Sequence, residues 1–151
     1  MKKIFLSLLI FPLSLYAQTL YNDLSNIQNL TVSIKAPAEI IPDYDSYNKL
    51  KMDIQLKLLA AKINISDKDS TVLQIIIDYV KSAFAADRIF ASLSLIEQCD
   101  SKRIKKVNAV TYQDYVLFTS EKQYHFRDTY NIIMDKLLLK FLNYYLYSNK
   151  K

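Results

Sequence analysis

Apolar residues in this chain alternate with polar ones in some stretches and recur every three or four residues in others, and each change of period marks an element. Leu30, Val32 and Ile34 lie on one side of a short run and Thr31, Ser33 and Lys35 on the other. That alternation predicts a half-buried strand from Leu30 to Ala36. Pro37 and Pro42 bracket the loop that ends it, since proline cannot continue a hydrogen-bonded ladder. The period then lengthens. Tyr47, Leu50, Ile54, Leu58 and Ala61 recur at spacings of 3, 4, 4 and 3, the stripe of a helix that covers a core. Asp45 or Ser46 supplies its cap. Asn64 to Ser70 reads as a polar turn.

Three strands follow. Thr71 to Lys81 is rich in β-branched residues and apolar on both faces, which predicts a central strand. After a short connection from Ser82 to Asp87, Ile89 to Gln98 carries Ile89, Ala91, Leu93 and Leu95 on one face and Phe90, Ser92, Ser94 and Ile96 on the other. A charged turn from Asp100 to Lys106 leads to a strand from Val107 to Phe118, with Val110, Tyr112, Val116 and Phe118 in one phase. Ser120-x-x-Gln123 has the form of a capping box. The helix it opens runs from about Glu121 to Tyr147, with Phe126, Tyr130, Ile133, Leu137, Phe141 and Tyr144 as its core stripe. The predicted order is β-α-β-β-β-α: an α+β domain over residues 30–151, with a four-stranded, mainly antiparallel sheet and two helices on one face.

The last helix carries a second apolar stripe: Ile132, Leu139, Leu142 and Leu146. At 100° per residue it falls roughly opposite the first, and a helix lying on a sheet buries one side. These four residues are therefore the candidate partner surface, with Leu142 and Leu146 expected to be exposed. Lys102, Arg103, Lys105 and Lys106 share one turn and form the candidate anion-binding site.

The N-terminus changes the picture of where the chain works. Lys2 and Lys3 precede a 12-residue apolar block, Ile4 to Leu15, followed by Leu15-Tyr16-Ala17. This is the charged, apolar and small-residue order of a secretory signal, and it is shorter than the roughly 20 residues that span a bilayer. The expected mature chain begins at Gln18, with a flexible lead-in over residues 18–29, and is periplasmic or secreted with no transmembrane span. Cys99 does not follow the apolar block, so it is not a lipid-attachment cysteine.

Composition removes several function classes. There is no glycine, which sets aside phosphate-cradling loops, dinucleotide fingerprints and nucleophile elbows; tight turns are expected to use Asn, Asp or Ser. One cysteine allows no internal disulfide, and one cysteine with one histidine cannot build the usual zinc site. Cys99 is expected to be a packed thiol and His125 a first-turn helix residue facing solvent or a sheet edge. The carboxylates are scattered and lack the spacing and glycine of a calcium loop. The net charge of +5 falls to +3 without Lys2 and Lys3, a mildly basic surface unsuited to nucleic acid. No cofactor, metal or catalytic residue is expected.

Two segments carry a resemblance. Leu50-Lys-Met-Asp-Ile-Gln-Leu-Lys-Leu-Leu-Ala-Ala-Lys-Ile63 resembles the first helix of small exported bacterial proteins of unknown function. Phe126-Arg-Asp-Thr-Tyr130 through Phe141-Leu-Asn-Tyr-Tyr-Leu146 resembles their closing helix. The element order is similar to the β-α-β-β-α modules of envelope assembly proteins, including the lipopolysaccharide-assembly lipoprotein family and the N-terminal module of the Tol-Pal translocation protein. The resemblance implies periplasmic scaffolding or assembly without catalysis. Partners on this reading are other envelope proteins, or a second copy joined through the C-terminal helix, with room for peripheral membrane contact. The competing expectation is a binding protein for an anionic envelope lipid or glycan.

Overall fold

The computed structural model describes residues 24–25, 27–67, 70–83, 86–100 and 106–150. Its elements in chain order are β1 (Asn29–Lys35), α1 (Tyr44–Ala60), β2 (Asn64–Ile65), β3 (Val72–Val80), β4 (Asp87–Cys99), β5 (Val107–Ser120), α2 (His125–Ile132) and α3 (Leu138–Ser148). A 3-10 turn, Lys122–Tyr124, precedes α2, and a π-helical turn, Ile133–Leu137, joins α2 to α3. The C-terminal helix is thus one rod with a wide turn inside it. The signal-like segment and Lys102, Arg103 and Lys105 lie outside the described residues.

The α+β class, the strand–helix–three-strand order and the helix-covered sheet are as the pattern predicts. The sheet has five strands, in the order β2-β1-β3-β4-β5. β1 runs parallel to β2 and β3, while β3, β4 and β5 form an antiparallel meander. β3 is the middle strand, as its two apolar faces predict. β2 is the addition: the supposed polar turn leaves α1 and touches the sheet edge, where Asn64 N donates to Gln28 O at 2.9 Å and Ser66 N to Leu30 O at 3.0 Å.

The core lies between the helices and one sheet face. Leu50, Ile54 and Leu58 of α1 are buried as their spacing predicts, against Val32, Ile34, Leu73 and Ile75. Ile133, Leu137 and Phe141 continue the core from the C-terminal helix, and Phe141 meets the Tyr112 ring edge-on at 5.3 Å. Asp43, two residues earlier than expected, caps α1 by accepting from Ser46 N at 2.7 Å. At the other end of α1, Ile63 N donates to Leu58 O and Lys62 N to Leu59 O, both close to 3 Å. This is a Schellman closure, and Lys62 holds its left-handed position, at φ 66°. In a chain without glycine, a lysine takes the conformation that glycine adopts at least cost.

Three local expectations are corrected. The capping box does not form: Ser120 Oγ donates instead to Asp128 Oδ2 at 2.7 Å, and the rod begins with a 3-10 turn that has no side-chain cap. Val110 does not share a face with Tyr112. The register passes from Leu95↔Tyr112 to Ile96↔Val110, so Thr111 is an extra residue, a bulge that turns Val110 to the other face. The stretch read as lead-in contributes Leu24 and Ile27 to the core. Tyr145 Oη donates to Ile27 O at 3.1 Å and Asn149 Nδ2 to Leu24 O at 3.3 Å.

Candidate functional site

The four residues of the second helical stripe do not act together. Leu139 and Leu146 are 47% and 46% exposed, Ile132 is half-buried against the core, and Leu142 is buried at 8%. The expectation of an exposed Leu142 is therefore corrected. Its cause is the π turn, which holds one more residue than an α-turn and rotates everything after it relative to α2. Leu138 and Leu142 swing inward as a result. Lys57 supports the wide turn by donating from Nζ to Met134 O at 3.3 Å. Of the basic turn, only Lys106 is described, and it is exposed at the start of β5.

His125 is 3% exposed, which corrects its expected place at the surface. Its Nε2 lies 3.2 Å from Asp87 Oδ2, without the in-line geometry of a hydrogen bond, and its Nδ1 lies 3.4 Å from Glu39 O. Asp87 Oδ1 accepts from Ser82 N at 2.7 Å. The Tyr79 ring stands 6.1 Å from the imidazole, and its hydroxyl is pushed above the usual tyrosine range by desolvation, then by the Glu39 and Asp87 carboxylates. This group ties the β3–β4 connection, the loop after β1 and the start of α2 to one another.

Cys99 is exposed, so the packed-thiol expectation is also corrected. It ends the 13-residue strand that Asp87 begins. At about 3.3 Å per residue that is about 40 Å, and His125 sits at the Asp87 end. The cysteine and the histidine cannot form a nucleophilic pair. Among the described residues, no three His, Cys, Asp or Glu side chains converge as metal ligands, and no helix is long and apolar enough to cross a membrane.

Between the helices, Asp53 accepts from Tyr130 Oη at 2.6 Å and from Lys49 Nζ at 2.9 Å. The tyrosine hydroxyl first, then the lysine, hold the Asp53 carboxyl below its usual range. The same carboxylate raises Tyr130 and Lys49. This is a latch between α1 and α2.

The most distinctive surface is the sheet face that, among the described residues, no helix covers. Register places Ile76, Ser92 and Tyr115 in one row, Asp78, Phe90 and Leu117 in the next, and Val80, Arg88 and Thr119 in a third. Tyr115 is 58% and Leu117 66% exposed, and the Phe90 and Tyr115 rings lie 5.7 Å apart. Val72, Ile96 and Val110 add an apolar group toward the other end. Arg88 and Lys81 line a groove of about 490 Å³ beside Val80 and Thr119. Sequence reasoning passed over this face. Its signals were the apolar residues on both sides of β3 and the unbroken Tyr115-Val116-Leu117-Phe118 run.

These features define an α+β protein whose sheet, among the described residues, has one helix-covered and one open, partly apolar face. No protein-family model and no curated protein matches the chain. In shape it is similar to the minor lipoprotein from Acinetobacter baumannii, known from a 2.35 Å crystal structure. The two share 13% sequence identity and a TM-score of 0.38, over 78% of this chain and 89% of that one.

Proposed function

We propose that this protein acts without catalysis, as a periplasmic interaction or scaffold component of a cell-envelope assembly. The observation that carries the reading is the open sheet face, where Val80, Tyr115 and Leu117 are exposed beside Phe90. Contiguous apolar surface on a small domain marks a place where another molecule binds. The signal-like N-terminus supports an address outside the cytoplasm. Cross-linking in intact cells followed by capture tests both parts. The expected result is a defined set of envelope proteins that is lost in the double variant Val80→Glu with Tyr115→Glu while the melting temperature holds. An unchanged set would remove the open face from the reading, and recovery in the cytoplasm would remove the address.

A binding protein for an anionic envelope lipid or glycan is the second reading, and Arg88 supports it. It is exposed at one end of the open face, with Val80 and Thr119 as cross-strand neighbours and Lys81 lining the same groove. Apolar surface beside paired cations suits an anionic amphiphile. Arg88→Glu should then abolish binding to vesicles containing anionic phospholipid while leaving the protein folded. Equal binding to neutral and anionic vesicles would refute it.

A further inference from the structure

β5 is an outer strand of the sheet, and among the described residues its far edge pairs with no other strand. From Tyr112 to Ser120 it is free of bulges and holds one charged residue, Asp114, with no lysine or proline. Edges are ordinarily blunted by lysine, proline or distortion, because their outward N–H and C=O groups are a template for another strand. A regular edge of this length calls for an extended β-strand as its occupant. The geometry points to a second copy of this chain, joined β5 to β5 in antiparallel pairing about a two-fold axis at Val116.

Two layers of the molecule share that axis. Lys140 binds Asp114 at 2.9 Å, and Ser120 binds Asp128 at 2.7 Å. The C-terminal helix therefore runs antiparallel to β5, and the middle of the strand near Val116 lies beside the turn carrying Asp135 and Lys136. An isologous contact sets residue i against j and j against i. In the strand layer the axis sets Tyr115 against the second copy's Leu117, twice, extending the apolar rows of the open face across the junction. In the helix layer it sets Asp135 against the second copy's Lys136, twice. Both are exposed, and the Asp135 contact to Lys57 within the chain is long, at 4.0 Å.

The spacing also agrees. The C-terminal helix touches both β4 and β5 and so lies over the gap between them. With about 4.8 Å between paired strands, the two helix axes stand about 10 Å apart, the distance at which helices pack. The groove of about 360 Å³ between Phe118 and Ile132 is then closed by the second copy. An extended segment of a different protein would satisfy the same backbone edge, but it would not require opposite charges side by side at the middle of the helix flank.

Sedimentation velocity across a concentration series, with amide hydrogen exchange on the same samples, tests the pairing on the purified protein. The expected result is a monomer–dimer equilibrium in which β5 amides gain protection as concentration rises. Leu117→Lys should give a monomer with an unchanged melting temperature, since the side chain is mostly exposed. Lys136→Glu should weaken the dimer about tenfold by setting like charges together. Adding Asp135→Lys to that variant restores opposite charges and should restore the dimer. A monomer at the highest soluble concentration overturns the inference, as does a dimer indifferent to Leu117→Lys. A dimer that responds to Leu117→Lys but not to Lys136→Glu overturns the axis at Val116.

Discussion

The two faces of the β4–β5 pair are built from neighbouring residues of the same strands, yet they face different worlds. Ile89, Ala91, Leu93 and Leu95 are fully buried under the helices, whereas Arg88 and Phe90, one position away, look outward with Tyr115 and Leu117. The covered face is set by stability, because each side chain there touches many others and cannot be trimmed without loss. The open face contributes little to the fold, so its aromatic and aliphatic residues must be accounted for by what they meet outside it. The open face is the more polar of the two, with Arg88, Ser92, Ser94, Gln113 and Thr119 among its residues, so the apolar members it keeps stand out against that background.

The widest separation should come from single truncations on the two faces. Phe141→Ala empties the space against Tyr112 and should cost about 4 kcal/mol, read by denaturant unfolding. Leu117→Ala should change stability by less than about 0.5 kcal/mol. Similar costs at the two sites would break the distinction between the faces. A finer version lies within one helix. Leu142→Ala should cost about 2–3 kcal/mol and Leu146→Ala less than about 0.5 kcal/mol, although the sequence offers the two as one stripe. The reverse ranking would mean that the wide turn does not rotate α3 as described.

Smaller effects sharpen the account of the covered layer. Lys62→Gly relieves a left-handed lysine and should stabilise the protein by about 1 kcal/mol, seen as a higher melting temperature. A loss would show that the lysine side chain has a role there beyond its backbone. The Asp53 latch predicts a dependence on acid. Its folded pKa is depressed, chiefly by the Tyr130 hydroxyl and then by Lys49. Its stabilisation is therefore present above the ordinary carboxylate pKa and lost as pH falls through the lower folded value. Tyr130→Phe removes the main cause, so stability should fall less steeply below about pH 4 than in the parent. Parallel acid limbs would assign the dependence to other carboxylates.

Much of this architecture was legible in the residues. The 3-4-4-3 stripe of α1 placed Leu50, Ile54 and Leu58 correctly, and alternation placed Ile89 through Leu95. Two single-residue insertions were not legible. Thr111 in β5 and the extra residue of the π turn each leave an apolar sequence that still looks periodic. Each re-aims what lies beyond it, Val110 in one case and Leu142 in the other. An insertion of that kind is decided by partners distant in sequence, such as Ile96 across the ladder or Lys57 against Met134. His125 was misplaced for a related reason. A lone histidine reads as polar until the Asp87 and Glu39 oxygens that surround it are brought together from separate elements.

The clasp at the chain ends bears on the order of events as the protein forms. The bond from Tyr145 to Ile27 spans 118 positions, and that from Asn149 to Leu24 spans 125. A chain emerging from its N-terminus holds one half of each bond long before the other half exists. Until α3 is made, Ile27 O and Leu24 O lack these partners. Closing so long a loop is favourable only once intervening elements have shortened the path. The last helical turn is therefore placed to close the fold onto Leu24 and Ile27, and its loss would remove both of these long-range bonds.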